Sequence, residues 1–198
     1  MPQLLKSPLF LRIVILTCLI SVEIVCSQSF KLISELSVLE VHGTSTLHDW
    51  QVDAEKQRGM LKLDSSKSFS IKTLCMFIYS NALESGKSGM NKDMRKALKA
   101  EVYDTIDFNL LWVDSLEKIT AQSYQIVGKG QMTIRGIRKL IPISFLLRRS
   151  ENQVTLEGEK IVHMTDYNIE PPKALFGVIK TDDEIKIVFK SVFQSENL

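Results

Sequence analysis

The stretch SGKSGMNKDMRKALKA, residues 85–100, decides how the rest of the chain can be arranged, because it is the one clear helix among predicted strands. Met90, Met94 and Leu98 recur every four residues, so one narrow apolar stripe runs along the helix. Asn91 is the candidate N-cap residue at which we expect the helix to begin. A lone apolar stripe has to be covered, and the flanking strands predict that it covers one end of a β-barrel.

The rest of the chain alternates apolar and polar residues with the period of two that is typical of strands. The alternating segments are residues 37–46, 50–54, 69–79, 106–112, 124–134, 141–147, 154–162 and 185–189. About eight strands with short connections and one helix predict an all-β fold, an eight-stranded antiparallel barrel with the helix covering an end. Such a barrel is just wide enough inside for side chains or one small ligand.

Two strands leave a structural question open. Segment 69–79 is apolar on both faces in its second half, so periodicity alone does not decide which face is turned inward. Gly128 and Gly130 lie on the apolar face of segment 124–134, where they remove side chains from the interior. One hypothesis is that they hold a ligand cavity open, and the alternative is a bulge or bend that needs glycine for backbone reasons.

Residues 1–27 are predicted to be a signal peptide, which leaves residues 28–198 as one folded domain. Lys6 precedes an apolar run with small residues after it, the pattern of a secretory signal. A retained membrane anchor and a lipoprotein signal acylated at Cys26 are the alternatives, but Glu23 interrupts the apolar run. The expected location is therefore periplasmic or secreted, with no stable membrane span after cleavage.

The charge of the remaining domain excludes some partners. Without residues 1–27 the chain keeps 23 basic and 22 acidic residues, a net charge of +1, against 25 and 23 in the full sequence. A nearly neutral domain does not favour nucleic acid or an anionic membrane surface. The oligomeric state does not follow from the sequence.

Few polar residues are candidates for chemistry. His48 and Asp49 are the only histidine–acid pair in a predicted turn, and they would contact a ligand head group, act as acid and base, or only shape the turn. His42, His48 and His163 lack the spacing of metal ligands, so neither a metal nor a cofactor is predicted.

Four segments in order carry a resemblance to a known family: VHGTSTLHDW (41–50), LESGKSGMNKDMRKALKAEVYDTIDF (83–108), YQIVGKGQMTIRGIRK (124–139) and MTDYNIEPPKALFG (164–177). With these segments the chain resembles the YceI-like family of extracytoplasmic, lipocalin-like proteins, some of which bind polyisoprenoids. Asp104 stands where the family commonly has proline. The resemblance implies a lipocalin-like barrel whose elongated apolar cavity holds an isoprenoid chain. Because the sequence contains no catalytic motif, the protein is not predicted to be an enzyme.

The predicted ligand-binding residues follow from this fold and from the apolar faces. The predicted cavity lining is Phe69, Ile71, Phe77, Ile106, Phe108, Leu110, Trp112, Tyr124, Ile126, Gly128, Gly130, Met132, Ile143 and Phe145. The predicted head-group or lid residues are His48, Asp49, Met90 and Met94. No catalytic residue is predicted. The plain alternative is that these apolar residues only fill the core.

Three functions are compatible with the sequence. The first is a carrier for an isoprenoid or another apolar small molecule, such as an isoprenoid quinone or its precursor. The second is a lipid-modifying enzyme that uses His48 and Asp49, and the third is a filled structural or interaction barrel. A cavity running through the barrel would favour the carrier, whereas its absence would favour the filled barrel.

The signal-peptide prediction can be checked directly. N-terminal sequencing of the exported protein should find a mature chain that begins near Gln28, since signal peptidase removes the basic flank and the apolar run. A membrane-bound product that keeps residues 1–20 would contradict the prediction.

Overall fold

The computed structural model of the chain describes residues 27–65, 68–174 and 178–196. The signal-peptide prediction concerns residues that lie outside these ranges, apart from Ser27, and it stays a prediction. None of the helices in the described ranges has the length and hydropathy that crossing a bilayer requires.

Strands make up most of the described chain. They are β1 (Ser27–Leu32), β2 (Val38–Ser45), β3 (Trp50–Ala54), β4 (Gln57–Asp64), β5 (Ser70–Tyr79), β6 (Leu83–Glu84), β7 (Thr105–Lys118), β8 (Ser123–Ile134), β9 (Ile137–Arg149), β10 (Gln153–His163), β11 (Lys173–Ala174) and β12 (Ile179–Ser195). The helix α1 is Ser88–Leu98, and short 3-10 turns occupy Ser34–Leu36, Ser80–Ala82 and Met164–Tyr167.

The chain forms a closed barrel of eight antiparallel strands. Short irregularities interrupt three of these eight strands, so that β1 continues as β2, β3 as β4, and β5 as β6. Accordingly β1 pairs with β4, β2 with β3, and β3 with β6. Around the barrel, the order of neighbouring strands continues from β5 through β7, β8, β9 and β10 to β12. This confirms the prediction of an all-β, eight-stranded antiparallel barrel with one helix.

Strand β12 completes the ring. Along one edge it pairs with the whole of β10, and along the other edge it pairs first with β2 and then with β1. Because β12 is paired on both edges, the strands of the described residues form a closed barrel, and closure is how barrels avoid edge-to-edge aggregation.

The two ends of the barrel differ. At one end, which we call the packed end, short turns join β7 to β8 and β9 to β10. The side chains filling it are 1% exposed or less, namely Phe30, Leu61, Leu63, Ile126, Leu147, Val154 and Phe193. The other end, which we call the open end, holds the β2–β3 turn, α1 and the 3-10 turn Met164–Tyr167 that follows β10. The packed end is therefore solid, and any cavity has to lie toward the open end.

A β-bulge in β5 settles which face of that strand is turned inward. Lys62 of β4 pairs with Thr73, but the next residue, Leu63, pairs with Ile71, so Lys72 is an extra residue. An extra residue shifts the alternation of faces by one position. The inward side chains beyond the bulge are Leu74, Met76 and Ile78.

Phe69, Ile71 and Phe77 were predicted to line the cavity, and none of the three does. Phe69 and Ile71 pack against the core near the packed end, where the Phe69 ring stacks on Tyr124 at 4.2 Å between centroids. Phe77 lies beyond the bulge on the outer face, with the Arg58 guanidinium carbon 4.5 Å from the centre of its ring.

Strand β7 contains two further irregularities of the same kind, with Leu111 and Asp114 as the extra residues. The first turns Trp112 outward, where its side chain is 44% exposed and the Lys129 ammonium lies 5.8 Å from its ring centre. The prediction that Trp112 lines the interior fails because strict alternation does not survive a bulge.

Gly128 and Gly130 lie opposite these irregularities, and they do not hold a cavity open. A Cβ atom on Gly128 would lie 2.5 Å from the carbonyl oxygen of Trp112, because the bulged backbone of β7 approaches it. A Cβ atom on Gly130 would lie 2.3 Å from the Phe108 ring. The space beside each glycine is occupied by protein, by the bulged backbone at Gly128 and by the Phe108 ring at Gly130, so the bulge alternative is supported at Gly128.

The substitution Gly128→Ala tests this close approach. We expect it to lower the free energy of unfolding by about 1–3 kcal/mol, because a backbone oxygen has little room to move away from the new methyl group. Chemical denaturation measures the change. In Gly89→Ala on α1, where a Cβ meets nothing within 4 Å, the same methyl group should be neutral or stabilising by up to about 1 kcal/mol. Equal stability of Gly128→Ala and wild type would contradict the account.

Candidate functional site

The open half of the barrel encloses a cavity of about 440 Å³. This volume lies within the range of roughly 300–1,000 Å³ that is usual for small-molecule sites. Its wall is mainly apolar and draws on most of the strands, with inward residues that include Val41, Met76, Phe108, Ile143, Leu156 and Ile187. The cavity stops at the packed end, so it does not run through the barrel as the carrier hypothesis expected.

Helix α1 covers the cavity with its apolar stripe. Met90, Met94, Ala97 and Leu98 all lie on the cavity wall. The helix begins at Ser88, one turn earlier than the expected start at Asn91. It ends where Lys99 adopts a left-handed conformation with φ of 50°.

Asn91 holds the helix to the barrel instead of capping it. Its side chain is 7% exposed, and its Oδ1 atom accepts hydrogen bonds from the backbone N–H of Ser85 at 2.8 Å and from the Ser85 hydroxyl at 2.6 Å. Its Nδ2 atom donates to Glu84 of β6, which also accepts from Arg95. The helix is thus tied at one side while methionines fill the space beneath it.

The structure separates the predicted site residues into two groups. Those on the cavity wall are Ile106, Phe108, Met132, Ile143, Phe145, His48, Met90 and Met94. Those that do not line it are Phe69, Ile71, Phe77, Leu110, Trp112, Tyr124, Ile126, Gly128, Gly130 and Asp49. Tyr124 and Ile126 point inward as predicted, but they belong to the packed end.

The turn from Ser45 to Trp50 forms part of the rim of the cavity. Ser45 organises it, because its hydroxyl accepts from the backbone N–H groups of Leu47 at 3.3 Å and His48 at 3.2 Å. The Nδ1 atom of His48 lies 2.8 Å from the backbone carbonyl oxygen of Asp49 and donates to it. The Asp49 carboxylate is exposed and off the cavity wall, so this turn does not build an imidazole–carboxylate pair.

Two polar residues on the wall were not among the predicted site residues. The first is Lys160, which pairs with Ile187 in the ladder between β10 and β12. Residues two apart on a strand share a face, so Lys160 points into the barrel together with Leu156 and Val162. Its side chain is partly buried and forms no ion pair or hydrogen bond within the described residues. The alternation of β10 is the signal that could have placed it.

The second missed residue is Tyr167, in the turn that follows β10. Asp183 of β12 positions this turn, accepting from the Thr165 backbone N–H at 2.8 Å and from the Thr165 hydroxyl at 2.6 Å. These hydrogen bonds hold the pKa of Asp183 below its ordinary value. Lys139 of β9 contacts Asp166 in the same turn at 3.6 Å. Tyr167 therefore has a fixed place on the wall.

The Tyr167 hydroxyl is a buried group without a partner. The residue is 1% exposed, and no protein atom in the described ranges forms a hydrogen bond with its oxygen. Burial raises the pKa of Tyr167 to about 12, and the neighbouring Asp166 carboxylate adds to the shift. The hydroxyl therefore stays protonated at neutral pH.

No metal site emerges from the part of the chain that the structure describes. Histidine, cysteine, aspartate and glutamate side chains do not gather there in groups of three or more that could hold an ion. What the cavity offers is apolar surface with a few polar groups toward the open end, an arrangement suited to binding and orienting a molecule with a long apolar part.

An eight-stranded antiparallel barrel with a blind apolar cavity beneath one helix defines a lipocalin-like barrel protein. The chain matches the family model of the YceI-like domain over residues 28–193, and it belongs to the YceI-like family. No curated protein sequence matches it.

Solved structures share this fold at low sequence identity. BcnA from Burkholderia cenocepacia matches with a TM-score of 0.65 and 15% identity over 81% of this chain and 98% of its own. A domain from Saccharophagus degradans described as polyisoprenoid binding matches with a TM-score of 0.66 and 12% identity over 85% and 99%. The YceI protein of Campylobacter jejuni matches with a TM-score of 0.55 and 14% identity over 74% and 85%.

The attachment of α1 predicts the effect of Asn91→Ala. Removing the amide leaves the backbone N–H and the hydroxyl of Ser85 without their shared acceptor, so we expect a loss of about 1–3 kcal/mol in the free energy of unfolding. Relative to the wild-type protein, amide hydrogen exchange in this variant should become faster in α1 and stay unchanged in β8. The exposed neighbour Lys92→Ala should change stability by less than about 0.5 kcal/mol. If both variants behaved alike, Asn91 would not hold the helix.

Proposed function

We propose that this protein binds a lipid with a long apolar chain, a polyisoprenoid or a similar amphiphile, and carries it outside the cytoplasm, in the periplasm or as a secreted protein. The observation that carries the proposal is the apolar cavity of about 440 Å³ under the methionines of α1. An apolar chain inside it would be stabilised by roughly 25 cal/mol per Å² of buried surface, less the cost of ordering the chain.

The helix suits a chain that bends. Met90 and Met94 are unbranched and polarisable, so they adapt to ligands of different shape. The structural relative from Saccharophagus degradans supports a polyisoprenoid as the ligand class, and the signal-like residues 1–27 support export.

Neither alternative function has support of the same weight. An enzyme that uses His48 and Asp49 would need their side chains to act together, but the imidazole bonds to a backbone carbonyl and the carboxylate lies off the cavity wall. A filled structural barrel would leave no cavity of this size.

Native mass spectrometry of the protein purified from its own host, followed by lipid extraction, tests the proposal. We expect a bound amphiphile with an apolar chain, released only when the protein is denatured or extracted with solvent. Protein that carries no lipid, and that takes none up from added polyisoprenoid, would overturn the proposal.

Substitution of Ala97 separates binding from stability. Ala97→Phe places a ring in the cavity, so we expect lipid retention to fall roughly tenfold or more while the melting temperature stays unchanged or rises. Lys96→Phe puts the same ring on the exposed side of the helix and should keep the lipid. Full retention in Ala97→Phe would show that the lipid is held elsewhere.

A further inference from the structure

The three most exposed large apolar side chains of the described residues all lie in loops at the open end of the barrel. Leu47 is 65% exposed, Val102 is 72% exposed and Val178 is 75% exposed, whereas the next such side chain is 56% exposed. Single exposed apolar residues are common on protein surfaces and need no function. What requires an explanation is that the most exposed ones gather at the end where the cavity opens.

Leu47 and Val178 lie on neighbouring loops of the rim. Leu47 belongs to the β2–β3 turn and lines the cavity itself. Val178 immediately precedes β12, and its carbonyl oxygen accepts a hydrogen bond from the Thr46 hydroxyl at 3.4 Å. The backbone N–H of Thr46 donates to the carbonyl oxygen of Lys180 at 3.0 Å. These bonds join the two loops, so both apolar residues belong to one side of the cavity opening.

Val102 belongs to the other side of the opening. It follows the end of α1, where its backbone N–H donates to the carbonyl oxygen of Lys99 at 2.9 Å. The next residue, Tyr103, lies against the β8–β9 turn, since a Cβ atom on Gly136 would be 2.8 Å from its ring. In the ring of eight strands, the β8–β9 turn lies opposite the β2–β3 turn. The exposed apolar residues therefore flank the opening and do not form one cluster.

The charges beside these residues are balanced. Each exposed apolar residue has one basic and one acidic residue close to it in the chain: His48 and Asp49 for Leu47, Lys99 and Glu101 for Val102, and Lys180 and Asp182 for Val178. Neighbouring charges of opposite sign produce little net field. Attraction of this end to another surface would therefore come from its apolar side chains and would depend little on ionic strength.

We propose that Leu47, Val102 and Val178 form a docking surface for a lipid bilayer, with the cavity opening turned toward the membrane. The three side chains insert into the interfacial region, and an amphiphile passes between bilayer and cavity without exposing its apolar chain to water. This inference rests on the proposed function, because a lipid-binding cavity is what connects the open end with a bilayer. Insertion of a few apolar side chains gives weak and reversible binding, so the protein can leave the membrane again.

A protein partner is the alternative occupant of this end. Stable protein interfaces are continuous and bury about 1,200–2,000 Å² of surface. Three side chains on opposite sides of an opening provide no continuous apolar area of that kind, whereas each can enter a fluid bilayer on its own. The plain alternative is that the three residues are exposed without a function. Binding to lipid vesicles distinguishes the membrane from both alternatives.

Flotation with phosphatidylcholine vesicles tests the docking surface on the protein as it is exported. We expect the wild-type protein to bind, and high salt to change the binding by less than about twofold. Val102→Ser and Val178→Ser should each weaken vesicle binding by about threefold to tenfold, and the double variant by about tenfold or more. Both residues lie off the cavity wall, so the affinity for farnesol in solution should stay unchanged.

Ile119→Ser is the matched control. Ile119 is an exposed apolar residue in the β7–β8 turn, at the packed end of the barrel. Its substitution removes the same kind of side chain from the end that faces away from the cavity opening, so vesicle binding should not change. Melting temperatures show that each variant is folded.

The outcomes separate the docking surface from the proposed function. If the wild-type protein binds farnesol but no vesicles, the bilayer is the wrong occupant while lipid binding stands. The docking surface is also wrong if the double variant binds vesicles as well as wild type, which a retained membrane anchor within residues 1–27 would cause, or if Ile119→Ser loses binding equally. Binding that requires phosphatidylglycerol and disappears at high salt contradicts apolar insertion.

A failure of the proposed function has a different signature. If the wild-type protein binds no farnesol and no other polyisoprenoid, the proposed function fails, and the vesicle experiment still decides the docking surface. Vesicle binding that is independent of salt, lost in the double variant and kept in Ile119→Ser establishes the docking surface.

Discussion

Closure of the sheet by β12 is the constraint on which the rest of the structure depends. Because β12 is paired with β10 on one edge and with β1 and β2 on the other, every strand of the barrel is held in a fixed register. The register decides how far along the barrel axis each inward side chain lies. Large side chains such as Phe30 and Phe193 meet at one end and fill it. At the other end the inward residues leave a gap, which the helix covers. The cavity is therefore a product of strand pairing, not of any one residue.

The sequence predicts the class of fold because alternation is a local property and survives along most of each strand. Prediction from alternation fails where a β-bulge adds one residue to a strand. The extra residue Lys72 in β5 and the extra residue Leu111 in β7 each reverse which face is inward, and neither has a distinctive side chain. This is why Phe77 and Trp112 were assigned to the wrong face. Gly128 is a sequence signal of the bulge in the neighbouring strand β7, but a glycine there is equally consistent with an open cavity until the position of β7 is known.

The candidate site is harder to predict than the fold because it depends on depth in the barrel. Tyr124 and Phe108 are both inward, yet only Phe108 reaches the cavity, and the difference lies in their distance from the open end. Lys160 lies on a strand whose inward positions were read as apolar, so a cation among them was overlooked. Tyr167 lies in a turn without periodicity, and its environment is set by contacts from β9 and β12 that are distant in sequence.

The packed end has a consequence for how a ligand would enter and leave the barrel. Among the described residues, a molecule in the cavity meets the buried side chains of the packed end, so it would enter and leave the cavity by the same path. A binding site with a single opening does not by itself set a direction of ligand movement. Net movement would be set by the relative concentrations of cargo in the donor and acceptor compartments, or by a partner that engages the same doorway and competes for what lies behind it. If the protein carries a lipid, as proposed, the donor and the acceptor of that lipid would have to use the same face of the protein in turn.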